Sequence, residues 1–160
     1  MLALAADGDP RLEACDVETR RPGPSYTYDT VADLQAEHPG AVLHLIIGID
    51  AYRDIDTWHR PGELLGLASI IVTTRPGQSF PADRVVPPVA ASRACCYDPA
   101  IGCYVHSSGH VVVAHSIDGL EVSASDIRQR VRAGAPVDHL TGQPVADYIR
   151  THSLYGAKPS

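Results

Sequence analysis

The sequence predicts an α/β fold around a parallel central sheet, and three observations carry that expectation. Val42 to Ile47 is a nearly unbroken apolar run, the mark of a strand covered on both faces. Leu67 to Thr74 is a second such run, and a helical segment precedes the first of them. Three of the most distinctive segments, Gly48-Ile-Asp50, Arg75-Pro-Gly77 and Val122-Ser-Ala-Ser-Asp-Ile-Arg128, are expected outside the carboxyl ends of strands, where open α/β sheets bind ligands.

Met1 to Ala6 has helix-forming composition, and Asp7-Gly-Asp-Pro10 is loop chemistry. A short strand is expected around Cys15 to Val17. Arg20-Arg-Pro-Gly-Pro-Ser25 then makes a loop, because each proline fixes φ and removes a donor. Ser25 or Thr27 can cap the next helix, which has Asp29 in its first turn and Val31 and Leu34 on its apolar face. His38-Pro-Gly40 stops it. Gln78 to Ser92 reads as a long surface loop with one strand, Val85 to Val89. Cys103 to His106 and His110 to His115 flank Ser107-Ser-Gly109 as a hairpin. Ser125 to Ala133 forms a helix capped by Ser125 and ended by Gly134. Pro144 to Ser153 forms a last helix entered through its proline.

At 160 residues, with 44% hydrophobic and 20% charged residues, one globular domain over residues 1–160 is expected. The net charge of −6 offers no general field for a polyanion, which argues against long nucleic acid as a partner. No apolar run is long enough for a membrane span, and Met1 to Ala6 has no basic flank. A cytoplasmic location follows as an expectation. The four cysteines are too few and too unevenly spaced for a secreted disulfide framework.

Several residues can carry chemistry. Gly48 admits a close backbone approach, Asp50 can accept hydrogen bonds from ribose hydroxyls, and Arg75 can neutralise a phosphate. Ser123, Ser125 and Arg128 form a serine-rich helix entry with a cation one turn on, an anion site in principle or a plain cap with a solvated arginine. Trp58, the single tryptophan, lies in the polar stretch Asp56-Thr-Trp-His-Arg60. It is either a stacking platform or a plug between loop and sheet.

Five segments read in order resemble the successive motifs of the bacterial nicotinate-nucleotide adenylyltransferase family. They are Gly23-Pro-Ser-Tyr-Thr-Tyr-Asp-Thr30, Leu45-Ile-Ile-Gly-Ile-Asp50 with Trp58 following, Arg75-Pro-Gly77, Val122-Ser-Ala-Ser-Asp-Ile-Arg128, and Val145-Ala-Asp-Tyr-Ile-Arg-Thr-His-Ser-Leu-Tyr155. The resemblance implies a Rossmann-like nucleotidyltransferase fold that joins nicotinate mononucleotide to the adenylyl part of ATP, with Mg²⁺ accompanying the ATP. It implies that Trp58 stacks on the pyridine, that backbone amides near Thr27 and His59 take the nicotinate carboxylate, and that Tyr26 shapes the pocket. Gly48 and Asp50 would contact a nucleotide. Ser123, Ser125 and Arg128, assisted by Arg75, would face ATP phosphates, with Arg128 and Ser125 the groups nearest catalysis.

The family opens with a strand and a Gly-x-Phe-Asp-Pro-x-His-x-Gly-His motif, and residues 1–160 contain no such stretch. Against the family pattern the chain is expected to be N-terminally truncated by roughly fifty residues, about one strand-helix-strand unit. His106-Ser-Ser-Gly-His110 has one residue too many between its histidines to replace it and reads as a hairpin turn. A sheet without its first strands would expose an apolar edge that favours aggregation or a homo-oligomer. Two other functions compete. One is a catalytically inactive pyridine-nucleotide-binding module. The other is a zinc-binding domain using Cys95, Cys96, Cys103 and the nearby His106, His110 and His115, although no Cys-x-x-Cys pair is present.

Overall fold

A computed structural model describes residues 1–74, 85–117, 119 and 122–156. In chain order the elements are α1 (Leu2–Ala6), α2 (Val17–Arg20), α3 (Thr27–Glu37), β1 (His44–Gly48), α4 (Ile49–Arg53), α5 (Pro61–Leu67), β2 (Ser69–Thr73), β3 (Cys95–Asp98), β4 (Cys103–His106), β5 (Val111–His115), α6 (Ala124–Arg132), α7 (Asp138–Thr141) and α8 (Gln143–Thr151). Short 3-10 turns lie at Ile55–Thr57, Val89–Ala94 and Leu154–Gly156. The chain divides into two compact units, one made of Met1–Asp16 with Leu120–Ser160, the other of Val17–Gly119.

The unit Val17–Gly119 is built on a five-stranded sheet of order β1-β2-β5-β4-β3. β1 with β2 and β2 with β5 pair in parallel, as the apolar runs predict, while β5–β4 and β4–β3 are antiparallel. The register aligns Leu45, Ile70, Val112 and Tyr104 across the sheet, so these side chains share a face. Ile70, Val72 and Val112 from that face pack with Ile49, Tyr52, Ile55, Leu65, Val85 and Ala91 into the main core. Val31 of α3 and Leu64 of α5 make a second cluster with Ala68. Buried polar groups are satisfied: Val111 N donates to Ser69 Oγ at 3.1 Å, between neighbouring strands.

The other unit packs α6 and α8 around Val131, Val137, Val145, Ala146 and Ile149, with Leu4 of α1 and Leu154 against them. Among the described residues no helix is long and apolar enough to cross a membrane.

Several expectations are corrected. No strand forms at Cys15 to Val17; Val17 opens α2, with Glu18 at its start and Arg20 at its end, the arrangement a helix dipole favours. The cap of α3 is Tyr26, without a side-chain hydrogen bond, rather than Ser25 or Thr27. β1 is not covered on both faces: it stands at one end of the sheet, and Ile46 is 66% exposed. Leu67 ends α5 instead of starting β2. That helix escaped notice because Pro61, Gly62 and Gly66 break its pattern, although proline at the first helical position is favourable. Residues 78–84 of the expected loop lie outside the described residues. Val85 to Val89 is not a strand, and Val85, Pro88 and Ala91 are buried rather than on the surface. The hairpin is present, with His106 N donating to His110 O at 2.8 Å and Gly109 turning at φ 93°. The residue capping α6 is Ser123, not Ser125.

Candidate active site

In the unit Val17–Gly119, α3 begins beside the loop that carries Trp58. The Tyr26 and His59 rings lie 4.6 Å apart, tilted by 33°, and the Tyr28 ring meets His59 edge-on at 6.3 Å. Trp58 follows the 3-10 turn, donating its backbone N–H to Ile55 O at 3.0 Å. Its half-buried side chain packs against both apolar clusters of this unit, so one part of the ring is anchored while the rest stays open to solvent. The amides of Thr27, Tyr28 and Asp29 open a helix and have no carbonyl one turn back to bond, which leaves them directed outward near these rings. Tyr26, Thr27, Trp58 and His59, named from the sequence, thus belong to one aromatic, amide-rimmed neighbourhood.

Two residues of this neighbourhood were not named from the sequence. Arg60 has its guanidinium carbon 4.0 Å above the Tyr28 ring centroid, and its Nε donates to Glu63 Oε1 at 2.8 Å while Nη2 donates to Oε2. The Arg60 hydrogen bond holds the Glu63 carboxyl below the usual carboxylate range. The backbone of Arg60 is left-handed, φ 54° and ψ 50°, a feature with no signature in an Asp56-Thr-Trp-His-Arg60 string.

Gly48 and Asp50 stand at the carboxyl end of β1, as expected. Gly48 has φ −71°, which any residue adopts, and no described atom lies within 4 Å of where a Cβ would sit, so the space before it is open. Asp50, in the first turn of α4, pairs with Arg53 at 3.4 Å. Beside α4 a cavity of about 460 Å³ is lined by Ile49, Tyr52, Ile55, Val85, Val86, Pro87, Pro88 and Tyr104, with Arg53 and Asp56 as its charged groups. None of the residues named from the sequence lines it. Tyr52 donates its hydroxyl to Val86 O at 2.5 Å, and burial raises its pKa far above the ordinary phenol value.

In the unit containing Leu120–Ser160, Ser123 and Asp126 form a capping box. Asp126 N donates to Ser123 Oγ at 3.1 Å, and Ser123 N donates to Asp126 Oδ2 at 3.1 Å. Ser123 Oγ also donates to Asp126 Oδ2 at 2.6 Å, and this bond first, then the one from Ser123 N, lowers the Asp126 pKa. Arg128 Nη2 donates to Ser125 Oγ at 3.1 Å, so the two residues expected nearest catalysis touch each other on the first turns of α6. The Ser-x-x-Asp spacing was the signal for the true cap. Arg75 lies outside the described residues.

The zinc reading finds no ligand set: among the described residues no group of three or more His, Cys, Asp or Glu is placed to hold a metal. Strand alternation is the reason. Cys95 pairs with His106 on one face of the sheet, whereas Cys96 and Cys103 lie on the other. Burial also raises the Cys95 and Cys103 thiols away from the thiolate that a metal needs.

Residues 1–130 match the model of the cytidylyltransferase-like family, which makes the chain a nucleotidyltransferase by class. Over 157 residues it is 38% identical to the "Probable nicotinate-nucleotide adenylyltransferase" of Geobacter sp. (strain M21), covering 97% of this chain and 72% of that protein. A protein of the same name from Marinobacter nauticus is 36% identical over 160 residues, covering 99% of this chain and 73% of its own length. The chain belongs to the nicotinate-nucleotide adenylyltransferase family. Its fold is Rossmann-like, similar to a Plasmodium falciparum nicotinic acid mononucleotide adenylyltransferase solved with APC, at a TM-score of 0.54 and 18% identity. That likeness covers 85% of this chain and 61% of the other, so the chain spans less than two thirds of that solved protein.

Proposed function

We propose that the chain serves the reaction its family is named for, transfer of an adenylyl group from ATP to nicotinate mononucleotide, giving deamido-NAD and pyrophosphate. The phosphate oxygen of the mononucleotide forms the new bond to the α-phosphorus of ATP, the α–β bridging bond breaks, and pyrophosphate leaves without a covalent enzyme intermediate. Positioning and charge stabilisation are then the whole task of the protein. The observation carrying this reading is the ring contact between Tyr26 and His59, which brings the opening of α3 to the Trp58 loop.

In this reading the pyridine ring stacks on the open part of Trp58, and amides near Thr27 and His59 receive its carboxylate. Gly48 and Asp50 meet a nucleotide at the end of β1. Ser125 and Arg128, with Ser123 as cap and Arg75 assisting, face ATP phosphates. The hydroxyl of Ser123 is already committed to Asp126, which leaves Ser125 and the first α6 amides as the donors there. Mg²⁺ enters with the nucleotide. Such an ion binds through substrate phosphates and water with few protein carboxylates. The protein acts in the cytoplasm as a homo-oligomer.

A second reading is a binding module without turnover, because the aromatic and amide groups gathered at Tyr26, Trp58 and His59 suffice to hold a pyridine nucleotide. One experiment separates the two. Pyrophosphate release is measured with ATP and nicotinate mononucleotide, beside calorimetric binding of the mononucleotide and of its amide analogue. Turnover with the acid establishes the enzyme, and saturable binding without turnover establishes the module. Failure to bind the acid overturns both.

A further inference from the structure

Resting on the pyridine reading above, we infer that Arg60 is a positioning residue for the pyridine substrate, a clamp that fixes the Trp58–His59 loop against the start of α3. The side chain is held on two sides by different helices. Glu63 of α5 accepts from the guanidinium through both carboxylate oxygens, and Tyr28 of α3 receives the guanidinium face at 4.0 Å from its centroid. Tyr28 in turn meets His59 edge-on, and His59 lies against Tyr26 with the rings tilted by 33°. The contacts run Glu63, Arg60, Tyr28, His59, Tyr26, and so tie the Trp58–His59 loop to the start of α3.

The backbone supports the same role. Arg60 occupies the left-handed region at φ 54°, which a long side chain seldom adopts, and its carbonyl accepts from Glu63 N and Leu64 N, both at 3.2 Å. The turn that aims the His59 amide is therefore maintained by what surrounds it. Because Glu63 balances the arginine charge, the clamp acts through geometry and not through attraction for the substrate's charge. Lysine, a point charge without a planar fork, does not reproduce it.

Trp58, the sole tryptophan, gives a readout inside the pocket. Arg60→Asn is the main variant, since asparagine tolerates the left-handed backbone while removing the fork. In the ligand-free protein, acrylamide quenching of Trp58 emission should rise in Arg60→Asn and Arg60→Lys, and stay unchanged in the remote control Arg11→Asn. Titration with nicotinate mononucleotide, followed by the same emission, should show Kd raised about tenfold in both Arg60 variants. Where Arg60→Asn fails to fold by circular dichroism, Glu63→Gln replaces it, with an expected rise of about threefold. Full rescue by lysine, or unchanged quenching and affinity in a folded variant, would overturn the clamp while leaving the pyridine assignment standing. A wild-type protein without saturable response to the mononucleotide would remove that assignment and the inference with it.

Discussion

Replacing Trp58 by alanine tests the site and the fold together, and the structure lets the two effects be separated. The ring packs against the cluster containing Ile55 and Leu65 and against the one containing Leu64. A fully buried tryptophan cut to alanine costs about 3–5 kcal/mol, and a half-buried one should cost about half of that, near 2 kcal/mol, read as a lower urea midpoint by circular dichroism. The open part of the ring is the surface assigned to the pyridine. Loss of a stacked pair is worth about 0.5–1.5 kcal/mol beyond area burial, so Kd for nicotinate mononucleotide should rise between about twofold and about tenfold. Titration calorimetry at a temperature where the variant is folded measures this, and Trp58→Phe should recover most of the affinity while remaining less stable than wild type. If folded Trp58→Ala binds as tightly as wild type, the ring is a plug between two cores and has no part in recognition.

Three further outcomes follow from local geometry. Gly62→Ala should lower stability by about 1–2 kcal/mol, read as a lower urea midpoint, despite the better helix former, because the new Cβ would sit 3.0–3.1 Å from Ala90, backbone atoms included; an unchanged midpoint would mean the 3-10 turn yields. Ser123→Ala should cost about 1 kcal/mol at pH 7 through loss of the cap. Its pH dependence has a definite sign: the Asp126 pKa is depressed in the fold, so the stability it adds is present above the ordinary carboxylate pKa and is lost as pH falls through the lower folded value. Acid unfolding curves should therefore draw closer between wild type and Ser123→Ala below about pH 4, and a constant gap would refute the link. Tyr52→Phe should lower thermal stability by about 1 kcal/mol, since the hydroxyl bonds a carbonyl of the Val85–Pro88 segment, and differential scanning calorimetry would register it.

Much of this was legible in the residues. The buried run around Ile70–Val72 shows itself as a strand because both its faces are apolar, and Ser107-Ser-Gly109 announces its hairpin through turn chemistry. β3 was hidden for the opposite reason: Cys95-Cys-Tyr-Asp98 looks like a set of metal ligands, and only pairing with β4 shows that alternation divides the thiols between two faces. Val85 and Pro88 sit in a proline-rich stretch with no period, so nothing local signals that they fill the core. Tyr26, Trp58 and His59 were singled out through motif order, and the fold brings the Tyr26 and His59 rings together. Arg60 was passed over because its meaning comes from a left-handed backbone and from Tyr28, a neighbour in space alone. The two serines of α6 exchanged roles, and the aspartate three positions after Ser123 was the clue.

The unit containing α6 and α8 is assembled from two stretches distant in sequence, Met1–Asp16 and Leu120–Ser160, with Leu4 packed against the cluster that holds Val131 and Ile149. During synthesis α1 is made well before α6 and α8 and has no core to join until they follow, whereas the pieces of Val17–Gly119 are made in one stretch. Synthesis thus imposes a sequence of maturation, sheet before helical unit. Deleting residues 1–16 should therefore injure the same small core as a disruption of α8, although the two lie far apart in the sequence.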